Sequence, residues 1–110
     1  MDDPDNIRNT ICVDFDKTLA HNSDHPDYNI LGPTAGAKNA MDALRLAGKF
    51  IIVYSSRKRQ YFWDVMDWLI KYQIPFDCLD MGNKPLCEYY IDDKAINFDG
   101  DWNKTLEQIK

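Results

Sequence analysis

The chain has 110 residues, 45% of them hydrophobic, which suffices for one buried core and is too few for two. Its 13 basic and 18 acidic residues leave a net charge of -5, the wrong sign for broad attraction to nucleic acid or to an anionic membrane surface. No apolar run approaches the roughly 18 residues that cross a bilayer, and the first ten residues, MDDPDNIRNT, are acidic and polar, so a soluble, cytoplasmic protein without a membrane partner is expected.

Residues 1–8 read as a flexible N-terminal tail and 9–110 as a single domain without repeats or low-complexity tracts. Residues 10–15, TICVDF, are short, apolar and rich in β-branched side chains, the pattern of a buried strand. Residues 19–33 follow as a polar loop, and His21 and His25 in AHNSDHPDYN read as loop residues rather than as a second metal site. After Pro33, Ala37, Ala40, Met41, Leu44 and Ala47 recur at helical spacing. This predicts a helix over 34–47 with one buried stripe and Gly48 just past its cap.

Residues 49–54 form a second strand, and Phe62, Val65, Leu69 and Tyr72 mark one face of a helix over 57–73 that stops before Pro75. Tyr61, Trp63, Trp68 and Tyr72 read as packing or as a surface for self-association rather than as a base-stacking platform. Further short strands are expected at 76–79 and 88–91. Asp101 suits the N-cap of a last helix with Trp102, Leu106 and Ile109 on a shared face. The 3 cysteines, odd in number and without paired spacing, read as reduced thiols.

Strand and helix alternate, which predicts an α/β fold of three layers, Rossmann-like, with a parallel sheet flanked by helices. In such sheets ligands bind beyond the carboxyl ends of the strands. There the chain concentrates its polar chemistry. The first strand runs into Asp14, Phe15, Asp16, Lys17 and Thr18, the second into Ser55, Ser56 and Arg57, and the last into Asp92 and Asp93, with Lys84 just upstream. Each has an ordinary reading: Asp pairs and serines cap helices, Lys84 suits a solvated surface, and Arg57, Lys58 and Arg59 suit a solvated helix start.

Taken in order, however, these residues form a set. VDFDKT resembles the first signature of the haloacid dehalogenase-like superfamily, DxDx[TV], and a Ser after the second strand, a Lys and a terminal acidic pair follow in that superfamily's order across residues 11–93. The resemblance implies a Mg²⁺-dependent phosphomonoester hydrolase that works through an aspartyl phosphate. Phosphoryl transfer calls for an in-line nucleophile, neutralised oxygens and a proton for the leaving group. The resemblance makes Asp14 the nucleophile and Asp16 the acid that protonates the leaving oxygen and then the base toward water. Thr18, Ser55, Ser56 and Lys84 would bind phosphate, helped by the helix N-terminus after Ser56, with Arg57 as a substrate contact. Asp14, the Asp16 carbonyl and Asp92, with Asp93 beside them, would ligate Mg²⁺.

Neither interval between these motifs has room for the cap domain that many relatives carry. A capless, open site implies a large substrate or cover from a neighbouring subunit, with the 19–33 loop, including His21, His25 and Tyr28, as the nearest specificity element. The implied partners are a phosphorylated substrate of unread class, nucleic acid only as a phosphorylated end, and a second copy of the chain. Other readings are a phosphate-binding or regulatory module with little turnover, a phosphotransferase, and a response-regulator receiver. The last carries its phosphorylated Asp at the end of a middle strand, where this chain has Ser55.

Overall fold

The computed structural model describes residues 9–22, 30–82, 87, 89–92, 96–97 and 100–109, with 92, 96 and 97 placed by backbone alone. In chain order the described elements are strand β1 (Thr10–Asp14), strands β2 (Ala20–Asn22) and β3 (Ile30–Pro33), helix α1 (Ala37–Leu46), strand β4 (Phe50–Ser55), a 3-10 turn (Arg59–Tyr61), helix α2 (Phe62–Lys71), strands β5 (Cys78–Met81), β6 (Tyr89–Asp92) and β7 (Ile96–Asn97), and helix α3 (Trp102–Glu107).

Five strands form a parallel sheet in the order β5-β4-β1-β6-β7, while β2 and β3 pair apart from it as an antiparallel hairpin. The fold is α/β, a parallel sheet flanked by helices. Strand β1 lies at the centre, and Thr10 through Val13 are all buried, as expected for a strand covered on both faces. Its ends register Thr10 with Phe50 and Asp14 with Tyr54 on β4, and Ile11 with Tyr89 and Val13 with Ile91 on β6.

The core gathers Ile11, Val13, Phe15, Ile51, Val53 and Ile91 from the sheet with Met41 and Leu44 of α1 and Val65, Trp68 and Leu69 of α2. Full burial of such a side chain stabilises by about 1.5–3 kcal/mol. The Phe15 ring meets the edge of Trp68 at 5.0 Å, which ties the residue after β1 to α2. Trp68 Nε1 then donates to the Leu31 carbonyl at 2.7 Å, anchoring the hairpin to the same helix.

A second tie runs through Thr34. Its Oγ1 donates to the Thr18 carbonyl at 2.7 Å and accepts from Trp102 Nε1 at 2.9 Å, so one buried hydroxyl links the β1 turn, the start of α1 and helix α3. Asp101 caps α3 as expected, accepting from the Asn103 and Lys104 N–H groups.

Both longer helices end in the same way. Past α1, Gly48 N–H donates to Arg45 O and Lys49 N–H to Leu44 O; past α2, Gln73 N–H donates to Ile70 O and Ile74 N–H to Leu69 O. These are paired Schellman bonds around a left-handed residue. That residue is glycine in the first helix, at φ 80, and Gln73 in the second, at φ 55.

Four expectations are corrected. Helix 34–47 begins only at Ala37, because Gly36 takes φ 84. Helix 57–73 begins as α-helix only at Phe62: Lys58 is extended and a 3-10 turn intervenes. Residues 19–33 are not a plain loop, since their two ends pair as β2 and β3.

The fourth concerns the thiols. Cys12 and Cys87 are joined as a disulfide, with Cα atoms 6.2 Å apart, and only Cys78 is a free thiol. The physical reason is the β1–β6 pairing, which aligns Ile11 with Tyr89 and brings together cysteines 75 positions apart in the chain. Disulfides persist mainly in oxidising surroundings. Among the described residues no helix is long and apolar enough to cross a membrane.

Candidate active site

Of the residues singled out by sequence, Asp14, Ser55 and Asp92 end strands at the carboxyl edge of the sheet, and Asp16 and Arg57 follow there. Strand order reverses there: the chain leaves β1 for β4 and β5 on one side and returns to β6 and β7 on the other. The crevice between β1 and β6 is therefore the topological switch point, where open α/β sheets bind ligands. Asp14 ends β1, half-buried, and Asp92 ends β6. Each lies one residue past the registered pair Val13–Ile91.

The chain turns sharply after Asp14. Phe15 N–H still continues the ladder to Tyr54 O, but the N–H groups of Thr18, Leu19 and Ala20 all point at Phe15 O, and Lys17 sits at φ 64. A left-handed lysine is uncommon away from tight turns. The turn separates two carboxylates that strand periodicity alone would have placed on one face.

Asp16 is consequently held on the β4 side. Arg57 Nε donates to its Oδ1 at 2.8 Å, Asn22 Nδ2 donates to the same oxygen at 2.7 Å, and Ser55 Oγ donates to Oδ2 at 3.2 Å. The ion pair is largely shielded, with side-chain exposures of 13% for Arg57 and 22% for Asp16. Charge-assisted bonds of this length are stronger than neutral ones, and their loss inside a protein leaves an uncompensated charge.

Ser55 is 1% exposed and also accepts the Arg57 N–H at 3.1 Å, a short-range turn that keeps residues 56–58 from joining the helix. This explains the late start of α2. No helix N-terminus follows Ser56 directly, and the backbone donors expected there for an anion are replaced by the fixed Ser55–Arg57 turn. Ser56 itself is exposed beside it.

The other expected residues fall as follows. Thr18 is 1% exposed, and its carbonyl is held by Thr34, so it braces the turn. Arg57, expected as a substrate contact, pairs with Asp16. Lys84, Asp93, His25 and Tyr28 lie outside the described residues, as does the 1–8 tail. His21 is exposed on β2.

Of the aromatic residues on the second helix, Trp68 and Tyr72 pack against each other at 4.9 Å, while Trp63 is 68% exposed. Asn22 is the residue that sequence reasoning missed. Neither spacing nor periodicity marks it, because it reaches Asp16 only once residues 20–33 fold back as a hairpin.

A hard cation would find Asp14 and Asp92 on adjacent strand ends, an arrangement that fits part of an oxygen-ligand set. Among the described residues no group of three or more His, Cys, Asp or Glu side chains gathers for a metal. Beside the site, a cleft of about 340 Å³ is lined by Arg59, Phe62, Leu79, Asp80 and Met81. Cys78, two residues from Asp80, has its thiol pushed up first by burial and then by the negative charges of Asp77 and Asp80.

Comparison with known proteins yields likeness of fold. No family model and no curated protein sequence matches the chain. Among solved structures, a conserved protein coded by a locus of Bacteroides thetaiotaomicron is similar with a TM-score of 0.73 at 23% identity, over 91% of this chain and 88% of that one. The crystal structure of a target protein from Vibrio cholerae is similar with a TM-score of 0.56 at 24% identity, over 92% of this chain and 98% of that one. At these identities the likeness is one of fold.

Proposed function

We propose that the chain is a Mg²⁺-dependent phosphomonoesterase of the haloacid dehalogenase-like type, without a cap domain, acting through an aspartyl phosphate on Asp14. The observation that carries this reading is the placement of Asp14 at the switch point of the sheet, with a second carboxylate, Asp16, held separately two residues on. With the hairpin set aside, the strand order is 3-2-1-4-5, which supports a Rossmann-like core over the 2-1-3-4-5 order of receivers. The hairpin occupies the interval where a cap would insert.

In the first step a carboxylate oxygen of Asp14 bonds to phosphorus, the bond from phosphorus to the leaving oxygen breaks, and Asp16 gives that oxygen a proton. In the second, Asp16 takes a proton from water as the water oxygen bonds to phosphorus, and cleavage of the bond to Asp14 releases inorganic phosphate. Asp14, Asp92 and Asp93 would hold Mg²⁺, which would supply neutralisation of the phosphate charge when bound. On this reading Ser55 and Lys84 would bind the transferring oxygens, and the Ser55 hydroxyl donates to Asp16 Oδ2.

The test is hydrolysis of a generic aryl phosphate with Mg²⁺, with chelator, and with Asp14→Asn. Turnover that requires Mg²⁺ and falls to background in Asp14→Asn is expected. Retained turnover in the variant ends the nucleophile assignment. Trapping with beryllium fluoride should then occupy Asp14 and no other aspartate.

A further inference from the structure

The two oxygens of Asp16 are not equivalent. Oδ1 accepts from both Arg57 Nε at 2.8 Å and Asn22 Nδ2 at 2.7 Å, donors delivered by different elements, the loop after β4 and the hairpin strand β2. Oδ2 accepts from the Ser55 hydroxyl at the longer distance of 3.2 Å, and that hydroxyl is already shared with the Arg57 N–H. An oxygen saturated by a guanidinium and an amide N–H is the poorer place for a proton, since both partners are donors and neither accepts a hydrogen from it. Oδ2 faces a hydroxyl, which turns to donate or to accept.

We infer that Arg57 and Asn22 are positioning residues for the acid–base step: together they anchor Asp16 Oδ1, so that Oδ2 is the oxygen that hands its proton to the leaving group and takes one from water. The inference rests on the phosphatase reading and assigns Arg57 to the proton-transfer residue rather than to the phosphate. Asn22 carries one further mark. Among the described residues its Oδ1 is buried without a hydrogen-bond partner. Turning the amide over would set that oxygen against the Asp16 carboxylate, so the contact with Asp16 fixes the amide orientation and leaves its acceptor unmatched.

The experiment compares leaving groups. Wild type, Asp16→Asn, Asn22→Ala, Arg57→Gln and Arg57→Lys are assayed on a nitrophenyl phosphate, whose leaving oxygen needs no proton, and on an alkyl phosphate, whose leaving oxygen does. A general acid contributes about 10²–10⁴-fold in rate. Loss of its anchoring in Asn22→Ala or Arg57→Gln should therefore lower kcat/KM, which reports the steps up to departure of the leaving group, by about 10-fold or more on the alkyl ester and by less than about 3-fold on the nitrophenyl ester. Arg57→Lys should recover part of the alkyl-ester rate, and adding either change to Asp16→Asn should cost nothing further.

Equal losses of kcat/KM on both esters, or additive losses on top of Asp16→Asn, overturn the inference while leaving the phosphatase standing. Two variants on separate elements guard against one failing to fold, and each is checked by thermal unfolding. Absence of turnover by wild type on either ester overturns the phosphatase reading and this inference with it.

Discussion

The two sides of β1 are secured by different physics. Toward β4, Thr10–Asp14 register along Phe50–Tyr54, and beyond the strand end the ion pair of Asp16 with Arg57 and the Ser55 hydroxyl continue the attachment. Toward β6, only Ile11–Val13 register along Tyr89–Ile91, and a covalent bond from Cys12 to Cys87 joins that side. The β4 side thus satisfies its carboxylate from within the chain. The β6 side brings the backbones of Asp14 and Asp92 to adjacent strand ends, one residue past the registered pair Val13–Ile91. The difference gives two aspartates, two positions apart in sequence, unlike surroundings.

The largest way to break this comparison is to cut the disulfide. A loop of this length corresponds to about 4 kcal/mol in the chain-entropy account, and about 2–4 kcal/mol of stability should be lost on reduction or in Cys87→Ser. Urea denaturation with and without reductant measures it. Amide exchange should rise in β6 more than in β4; equal protection would mean that the covalent bond does not secure the β6 side.

Next is the β4 side. Arg57→Met leaves the Asp16 carboxylate, 22% exposed, without its cation, and should cost about 2 kcal/mol, discounted from the range for fully buried pairs because both groups retain some solvent. In Asp16→Asn combined with Arg57→Met the loss should fall short of the sum of the two singles. Strict additivity in denaturant titrations would show that the pair is not coupled.

Away from both sides, Gln73→Gly relieves a side chain held at φ 55 and should stabilise by about 0.5–1 kcal/mol, seen as a rise in Tm. The smallest effect concerns Cys78. Its thiol is raised by burial and by Asp77 and Asp80, so less thiolate exists at neutral pH, and alkylation by iodoacetamide should be slower than for an unperturbed thiol and should climb at higher pH. An alkylation profile matching a free thiol would contradict this.

Much of the architecture was legible along the chain because local rules carried it. The apolar run 10–15 announced a central strand, the 3.6-residue stripe through Ala37, Ala40, Met41 and Leu44 announced α1, and Asp101 announced the cap of α3. Positions near a strand end were equally legible, so Asp14, Asp16, Ser55 and Arg57 were found before their neighbours were known.

What stayed hidden depended on pairs distant in the chain. The hairpin that carries Asn22 to Asp16, the turn through Ser55 that delays α2, and the meeting of Cys12 with Cys87 each arise from tertiary pairing. Periodicity reports which face of an element is apolar, and it is silent about which element lies alongside. The sequence by itself therefore determined the central strands and the three helices, their buried faces and the identity of the acidic and hydroxyl groups at the sheet edge. Only the tertiary structure decided that Arg57 and Asn22 pair with Asp16 and that β1 and β6 end side by side, because strand order and a left-handed turn at Lys17, rather than spacing, set which elements meet.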